Sequence, residues 1–429
     1  MGPNLICDKS TLQALSRDEL SALRRYYSLN IPPVLLVEIL ADLKKHVDGA
    51  AGREEVRILA NKLLPACSTV NMNFRKLIIG ELGGQHFPMD CRPVVQGGFQ
   101  VDAQDGKKGV MLKVSPEADA LLRWQTNEFS EAEELLAEAW RLSTLSIDLE
   151  GMQRHLRSAY SGHVNLRTLA QTAQFVDELI RTTSPKLLFE WFLNDADIFG
   201  PSARQAVEKF QGAADGSLFE LAPYTAFCVR VGLIFHFALA FGLVSTRPTN
   251  RLDLEYLYYS PFCNAFSSGD AFHRKIAPLV IPNGKYFDRE VLKADLNQLA
   301  KWWTTLSPEQ EEQESHVQGP PENENSITHQ LWKELMRPGY RDPGRRHLNL
   351  TKEASDKMLK RFQDLARKGS LSEQPLQGSA EDCDFMIVQH MVRPDGPCIC
   401  GKPKLFKECC GRELVKSLKE SGAGTVPNK

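Results

Sequence analysis

Apolar positions in the first 50 residues alternate between short continuous runs and the 3.6-residue period of amphipathic helices. The apolar run at residues 3–7 predicts a buried strand, and residues 10–28 predict a helix. Residues 28–48 predict a short extended piece and a second helix. Pro32 and Pro33 suit the entry to this helix, because missing N–H groups cost little in a first turn. This succession is typical of an α/β fold.

The middle of the chain is predicted to be mostly helical. Residues 92–115 carry two β-rich runs around a turn rich in Gly and Asp, which predicts a hairpin, and residues 116–245 follow helical periods. The most apolar run, 226–244, approaches the length of a membrane span. Arg230 and His236 interrupt it, so we expect a buried core helix and no membrane segment.

A second unit of helix and strand follows, and it closes the predicted domain of residues 1–305. Residues 251–260 predict a short helix, residues 261–270 a buried strand that ends at Asp270, and residues 289–303 a closing helix.

The remaining chain divides by composition. Residues 306–327 are acidic, rich in Gln and too poor in apolar side chains to bury a core, so they are predicted to be a linker. A basic helical segment, 328–380, is expected to follow, with helices near 328–336 and 351–368. The last unit is a small cysteine-rich module over residues 390–415.

The net charge of the chain is nearly balanced, with 52 Lys and Arg against 54 Asp and Glu. This balance excludes the strongly basic footprint of a general nucleic-acid binder. From residue 331 onward, however, 19 Lys and Arg face 13 Asp and Glu. A loop rich in Pro and Gly carries arginines and a tyrosine that suit phosphate contacts and base stacking: Arg337, Arg341, Arg345, Arg346 and Tyr340. An ordinary flexible surface loop is the alternative.

Ten cysteines in 429 residues are too dilute for a secreted disulfide scaffold, and six of them are scattered. The N-terminus lacks the long apolar stretch of a signal peptide. We therefore expect a reducing, cytoplasmic location.

The other four cysteines crowd into thirteen residues: Cys398, Cys400, Cys409 and Cys410. Four thiolates satisfy the tetrahedral preference of zinc, and a site without an open position is structural. Because this tail offers little core, the metal would contribute the folding energy, and Lys402, Lys404 and Lys407 would offset the thiolate charge. Two disulfides or four free thiols are the alternative, although a disulfide between Cys409 and Cys410 would be strained.

The segment PCICGKPKLFKECCG resembles the SEC-C motif, the zinc tail first associated with the bacterial SecA motor. Lys402 and Pro403 replace the usual Ser-Gly of that motif, and Leu405 replaces a Lys. The matching positions are Cys398, Cys400, Gly401, Lys404, Phe406, Lys407, Cys409, Cys410 and Gly411. The resemblance covers about 20 residues. It implies a module that docks on proteins or ribosomes and does not imply a motor.

Four acidic residues stand at places that favour a metal-dependent hydrolytic site. Asp8 and Asp270 follow predicted strands, Asp253 opens a predicted helix, and Glu38 lies inside the apolar helix LLVEILADL. Acids at the carboxyl ends of parallel strands face the crevice where α/β proteins bind ligands. Hydrolysis of a phosphodiester needs a hard divalent ion to activate water, and magnesium prefers a few carboxylates with retained waters.

Each acid also has an ordinary structural explanation. Asp8 and Asp253 could be helix N-caps, Glu38 could lie on a solvated face, and Asp270 could be a turn residue. Because the four are far apart in sequence, physical reasoning alone leaves their convergence unproven.

The segments LICDKSTLQALS, IPPVLLVEILADL and NRLDLEYLYYSPFCNAFSSGDAFHRKI look like the two halves of a PIN-like nuclease domain. The four acids fall on the acidic positions of that family's site, and Ser268 falls on its small hydroxyl residue. The resemblance covers about residues 1–48 and 225–305. It implies a three-layer α/β/α fold with a parallel sheet, interrupted by a mostly helical insertion over about residues 50–225.

The resemblance further implies an endonuclease that binds Mg²⁺ or Mn²⁺ through Asp8, Glu38, Asp253 and Asp270 and cleaves RNA in preference to DNA. Five residues beside the acids are candidates for contacting the substrate: Lys9, Ser268, His273, Arg274 and Lys275. An ordinary solvated face is the alternative for the charged ones. The zinc module would target the enzyme to a ribosome or a protein partner. Two competing interpretations are a non-catalytic PIN-like scaffold that docks through this module and a metal-dependent phosphatase.

Overall fold

The computed structural model describes residues 2–46, 49–63, 68–95, 98–102, 108–112, 115–160, 162–201, 203–205, 218–281, 285–310, 319–336 and 385–388, with Glu408 and Arg412. The predicted zinc cysteines, the basic loop from Arg337 to Arg346 and the predicted helix 351–368 lie outside the described residues.

A five-stranded sheet of parallel strands forms the centre of the α/β core. The strands of the molecule are β1 (Asn4–Cys7), β2 (Ser28–Ile31), β3 (Ser68–Val70), β4 (Gly98–Asp102), β5 (Lys108–Leu112), β6 (Ala265–Ser268), β7 (Lys285–Asp288) and β8 (Phe385–Val388). The central sheet has the order β3-β2-β1-β6-β7. Strands β1, β2 and β6 are almost entirely buried, as expected of parallel strands covered on both faces.

The direction of winding reverses between β1 and β6. The chain first runs outward from β1 through β2 to β3, and it later returns to place β6 on the other side of β1. Ligands of open α/β sheets bind in the crevice at the carboxyl ends of the strands that flank such a reversal. Asp8 follows β1 directly, and Asp270 follows β6 after one glycine.

The described residues are mostly helical. Sixteen helices are α1 (Lys9–Ala14), α2 (Arg17–Tyr26), α3 (Pro33–Ala41), α4 (Gly49–Lys62), α5 (Phe74–Leu82), α6 (Pro116–Gln125), α7 (Glu131–Leu145), α8 (Leu149–Tyr160), α9 (Leu169–Thr182), α10 (Pro185–Asp195), α11 (Leu218–Leu221), α12 (Pro223–Ala240), α13 (Asn250–Leu257), α14 (Ala271–Val280), α15 (Arg289–Thr304) and α16 (Ile327–Leu335). Single 3₁₀ turns occupy Asp42–Lys44 and Ser260–Phe262.

The helix predicted over residues 10–28 is two helices in the structure. Leu15 is extended, with φ −75° and ψ 132°, and ends α1. Ser16 then starts α2 through a capping box, in which the Ser16 hydroxyl accepts from the Glu19 N–H and the Glu19 carboxylate accepts from the Ser16 N–H. Helix α3 begins at Pro33, as the proline pair predicted.

The central sheet extends into the range predicted as an insertion. Strand β3 lies between α4 and α5 and pairs with β2, so part of residues 50–225 belongs to the α/β core. The hairpin predicted over 92–115 is confirmed by the antiparallel pairing of β4 with β5, and β8 pairs with β5 in parallel.

The most apolar run forms helix α12. By length and composition this helix could cross a membrane, yet 89% of it is buried inside the structure, as in the core helix that we predicted. Its interrupting polar residues have polar neighbours: Arg230 pairs with Asp177 at 2.6 Å, and His236 Nε2 lies 3.0 Å from the Tyr160 hydroxyl. The other ring nitrogen, His236 Nδ1, is buried without a hydrogen-bond partner.

The end of the predicted linker packs on the domain. Buried Asp295 of α15 accepts hydrogen bonds from the Ser326 hydroxyl at 3.0 Å and from the Thr328 hydroxyl at 2.7 Å. The Trp332 indole N–H donates to the Tyr26 carbonyl oxygen at 2.9 Å. The first helix of the predicted basic segment, α16, is therefore anchored to the α/β core.

Candidate active site

Asp8 opens the site at the carboxyl end of β1. Its carboxylate caps α1 by accepting from the Thr11 N–H at 2.7 Å, and the residue is only 5% exposed. The same carboxylate accepts from the Ser10 hydroxyl at 2.9 Å and from the Ser268 hydroxyl at 2.6 Å. Asp8 is thus a helix N-cap, and its Oδ2 also links α1 to β6 through Ser268.

Ser268 and His273 connect the acids behind the crevice. The Ser268 hydroxyl oxygen accepts from the Asp270 N–H at 2.9 Å and lies 2.8 Å from His273 Nδ1. The other ring nitrogen of His273, Nε2, donates to the Asp253 carbonyl oxygen at 2.7 Å. His273 and Ser268 are both completely buried. The His273 ring positions Ser268 and α13, so its surroundings give no support to the predicted contact with substrate.

Asp270 and Asp253 share a counter-ion. Asp270 caps α14 by accepting from the Phe272 N–H at 2.7 Å. Its Oδ2 lies 2.9 Å from the Arg247 guanidinium, which also stands 3.7 Å from Asp253 Oδ2. Asp253 sits in the first turn of α13 behind Thr249, so the explanation of Asp253 as an N-cap is wrong.

Glu38 reaches the site from α3 and accepts a hydrogen bond from the Tyr256 hydroxyl. Lys9 lies alongside and donates to the Glu38 carbonyl oxygen at 3.1 Å, while its ammonium pairs with Asp42 at 2.7 Å. Lys9 is therefore committed to Asp42 and would have to leave this pair to bind a phosphate. Asp42 is buried, and its Oδ2 has no hydrogen-bond partner.

The four predicted acids influence one another electrostatically. Burial and, to a smaller extent, the charges of Asp270, Glu38 and Asp8 together raise the pKa of Asp253 to about 8, against the opposing charge of Arg247. Burial also raises the pKa of Glu38 to about 7, with contributions from Asp8 and Asp42. Asp253 thus lies within electrostatic range of the other three acids.

Positive charge at this crevice is scarce. Among the described residues, Lys9 pairs with Asp42, and Arg247 pairs with Asp253 and Asp270, whereas no ion pair reaches Asp8 or Glu38. Oxygen donors in negative surplus fit a hard divalent cation. Asp253 Oδ2 adds a buried oxygen without a hydrogen-bond partner, in a residue that is 8% exposed.

The side chains nevertheless do not form a closed metal centre. Within the part of the chain that the structure describes, no three His, Cys, Asp or Glu residues are grouped so that they could hold a metal ion. The Arg247 guanidinium joins Asp253 to Asp270 instead. The donor types and the charge fit a divalent ion, and the arrangement of the side chains would have to tighten around it.

Basic residues lie on the outer edge of the crevice. Arg274 is exposed and pairs with Asp288, with its Nε 2.9 Å from the carboxylate, and Lys275 donates to the Leu243 carbonyl oxygen at 3.2 Å. Arg289 packs against Gly269, where an added Cβ would lie 2.9 Å from the guanidinium carbon. Arg274 and Lys275 are thus on the surface beside Asp270, but both have protein partners.

Three residues of the site were missed from the sequence. Asp42 lies four residues after Glu38, a spacing that puts both on one helix face and could have drawn attention to it. Tyr256 lies three residues after Asp253 on α13, which is a weaker signal of the same kind. Arg247 belongs to a loop, where no periodic pattern reports the direction of a side chain.

Fold and site together define an α/β protein with a small parallel sheet and a buried acidic crevice at its switch point. Comparisons with protein-family models, with curated proteins and with solved structures found no match to this chain.

In the metal-free protein, the free energy of unfolding is expected to fall as the pH rises from about 5 to about 8. The pKa values of Glu38 and Asp253 are raised from 4.5 and 3.8 to about 7 and about 8, so the folded state holds protons that the unfolded state has released. Each such proton lowers the free energy of unfolding by about 1.4 kcal/mol per pH unit between the pKa of the unfolded state and that of the folded state. Urea unfolding in EDTA measures this dependence.

Asp253→Asn removes one of these groups and should make the fall with pH shallower. Equal stability of the wild-type protein at pH 5 and pH 8, or the same fall in the Asn variant, would show that Asp253 is not held protonated by this crevice.

Proposed function

We propose that this chain is a metal-dependent endonuclease with a PIN-like domain, which hydrolyses phosphodiester bonds of RNA with Mg²⁺ or Mn²⁺. The ion would be held by Asp8, Glu38, Asp253 and Asp270. The observation that carries the proposal is the surplus of buried carboxylates over cations at the switch point between β1 and β6. A divalent cation both balances such a surplus and supplies the charge that phosphodiester hydrolysis needs.

When bound, the cation would polarise the phosphate and lower the pKa of a water molecule. The residues of the chain have distinct parts in this proposal. Asp8 and Asp270 present oxygens from the rigid ends of β1 and β6, where N-cap hydrogen bonds fix both carboxylates. Ser268 holds Asp8 from behind through its hydroxyl.

Glu38 is the candidate to accept the proton of the attacking water. A general base must lie within hydrogen-bond reach of the water that it deprotonates, and Glu38 belongs to the group of acids proposed to hold the ion and its water. The Tyr256 hydroxyl holds Glu38 Oε2 in position by donating a hydrogen bond to it. Arg274 and Lys275, both on the surface beside Asp270, remain the candidates for contacting the RNA backbone.

The second part of the proposal concerns targeting. Cys398, Cys400, Cys409 and Cys410 would hold one structural zinc ion, and the resulting module would dock on a ribosome or a protein partner in the cytoplasm. The spacing of the cysteines and the resemblance to the SEC-C motif support this part.

A non-catalytic scaffold is the second candidate function. It is favoured by one observation: among the residues that the structure describes, no three potential ligands are grouped for a metal ion, and Arg247 ties Asp253 to Asp270. In a scaffold, these ion pairs would be permanent and the zinc module would supply the only metal.

Asp270→Asn is expected to reduce RNA cleavage with Mn²⁺ by about 100-fold or more, because a lost metal ligand removes several kcal/mol of transition-state stabilisation. Cleavage of labelled RNAs by the purified full chain measures this effect. Asp288→Asn is the matched control, since Asp288 also caps a helix at the end of the adjacent strand β7. This control should retain most of the activity.

Equal cleavage by the wild-type protein and the Asp270→Asn variant would assign the activity to a contaminant or to another site. Absence of cleavage over a panel of RNAs and DNAs would favour the scaffold.

For the zinc module, elemental analysis of the purified chain should find one zinc ion per molecule. The double variant Cys398→Ala/Cys409→Ala removes two of the four thiolates and should lose the ion, because the remaining two cannot complete a tetrahedral site. Zinc retained at the wild-type level by this variant would contradict the assignment.

A further inference from the structure

Arg247 touches two of the proposed metal ligands at once. Its guanidinium lies 2.9 Å from Asp270 Oδ2 and 3.7 Å from Asp253 Oδ2, and its Nε donates to the Thr249 hydroxyl at 2.5 Å. These two carboxylates come from different elements, α13 and the end of β6. The guanidinium is therefore the cation that joins the two sides of the crevice.

The contacts of Arg247 are of a kind that can be exchanged. The side chain is 57% exposed and belongs to the loop between α12 and α13. Exposed ion pairs contribute little to stability, because water and salt compete for both partners. A buried Arg with several backbone acceptors would be a fixed part of the fold, whereas this one can swing into solvent.

The single positive charge of Arg247 is also too small to balance the acidic groups that it contacts. With the guanidinium in place, Asp253 Oδ2 still lacks a hydrogen-bond partner, although Asp253 is only 8% exposed. A divalent cation carries twice the charge and can be coordinated directly by such an oxygen. The cation and the guanidinium cannot occupy the space between Asp253 and Asp270 together.

We propose that Arg247 is a displaceable counter-ion: it neutralises Asp253 and Asp270 until a divalent cation replaces it, and the released guanidinium then binds the phosphate of the substrate. The inference rests on the proposed function, because it assumes that these acids bind a metal ion. The planar guanidinium offers several N–H donors in a geometry that matches phosphate oxygens. One residue would thus protect the empty site from charge repulsion and recognise the substrate in the loaded site.

Competition between Arg247 and the cation can be measured without any turnover. Isothermal titration of Mn²⁺ into the zinc-loaded full chain, dialysed free of other divalent cations, would compare the wild-type protein with Arg247→Gln. Removal of the competing charge should tighten Mn²⁺ binding by about fivefold, the equivalent of one exposed ion pair. Arg181→Gln is the matched control, because Arg181 is similarly exposed at 67% and its ion pair is with Glu178, which is not a proposed metal ligand; it should change the affinity by less than about twofold.

The outcomes separate this inference from the proposed function. Mn²⁺ binding by the wild-type protein with equal or weaker binding by Arg247→Gln overturns the role of Arg247 and leaves the metal site standing. Absence of Mn²⁺ binding in both proteins overturns both proposals. Tighter Mn²⁺ binding by both Arg variants would show that the effect comes from a general loss of positive surface charge. This result would also overturn the specific role of Arg247.

A second measurement tests the phosphate contact. At saturating Mn²⁺, Arg247→Gln should raise the KM for RNA although it binds the metal more tightly, and Arg247→Lys should recover part of the loss because it restores the charge. Unchanged KM and kcat in Arg247→Gln would overturn the second half of the inference. Thermal unfolding without and with added Mn²⁺ provides the check on folding. Without the ion, both proteins should unfold cooperatively at similar midpoints, and Mn²⁺ should raise the midpoint of Arg247→Gln more than that of the wild-type protein.

Discussion

The burial of several carboxyl groups beside one another is the constraint on which the rest of this structure depends. Parallel pairing of β1 with β6 brings the residues after these strands, Asp8 and Asp270, to the same edge of the sheet. Helix α13 and helix α3 add Asp253 and Glu38 to that edge. Burial and mutual repulsion raise two of the four pKa values towards neutrality, so the fold holds an arrangement that costs free energy unless a proton or a cation balances it.

The surrounding elements offset part of that cost with hydrogen bonds. Asp8 and Asp270 each cap the helix that they precede, so each carboxylate stabilises the fold without a ligand. His273 ties the Ser268 hydroxyl to the backbone of α13, which couples the strand end to the helix that carries Asp253. Capping and ligand binding are therefore compatible roles of one side chain, and the capping explanation of an acid does not exclude it from a site.

The parts of this structure that depend on the local pattern of apolar and polar residues were predicted from the sequence. Apolar runs and the residues that bound them predicted strands β1 and β6, the start of α3 at its prolines and the buried helix α12. Strand β3 was missed because three half-buried residues inside a long helical range carry no distinctive period. Arg247 was missed because the direction of a loop side chain is set by tertiary packing, and the joining of distant acids rested on resemblance to a family. The zinc module and the RNA substrate remain predictions.

Diffraction from crystals of the full chain soaked in Mn²⁺ would test the central claim most directly. The account predicts an anomalous peak within coordination distance of the Asp8, Asp253 and Asp270 carboxylates, with the Arg247 guanidinium moved away from them. A crystal saturated with Mn²⁺ that shows no peak there, and in which Arg247 still joins Asp253 to Asp270, would contradict it and identify the crevice as a permanent structural ion-pair network.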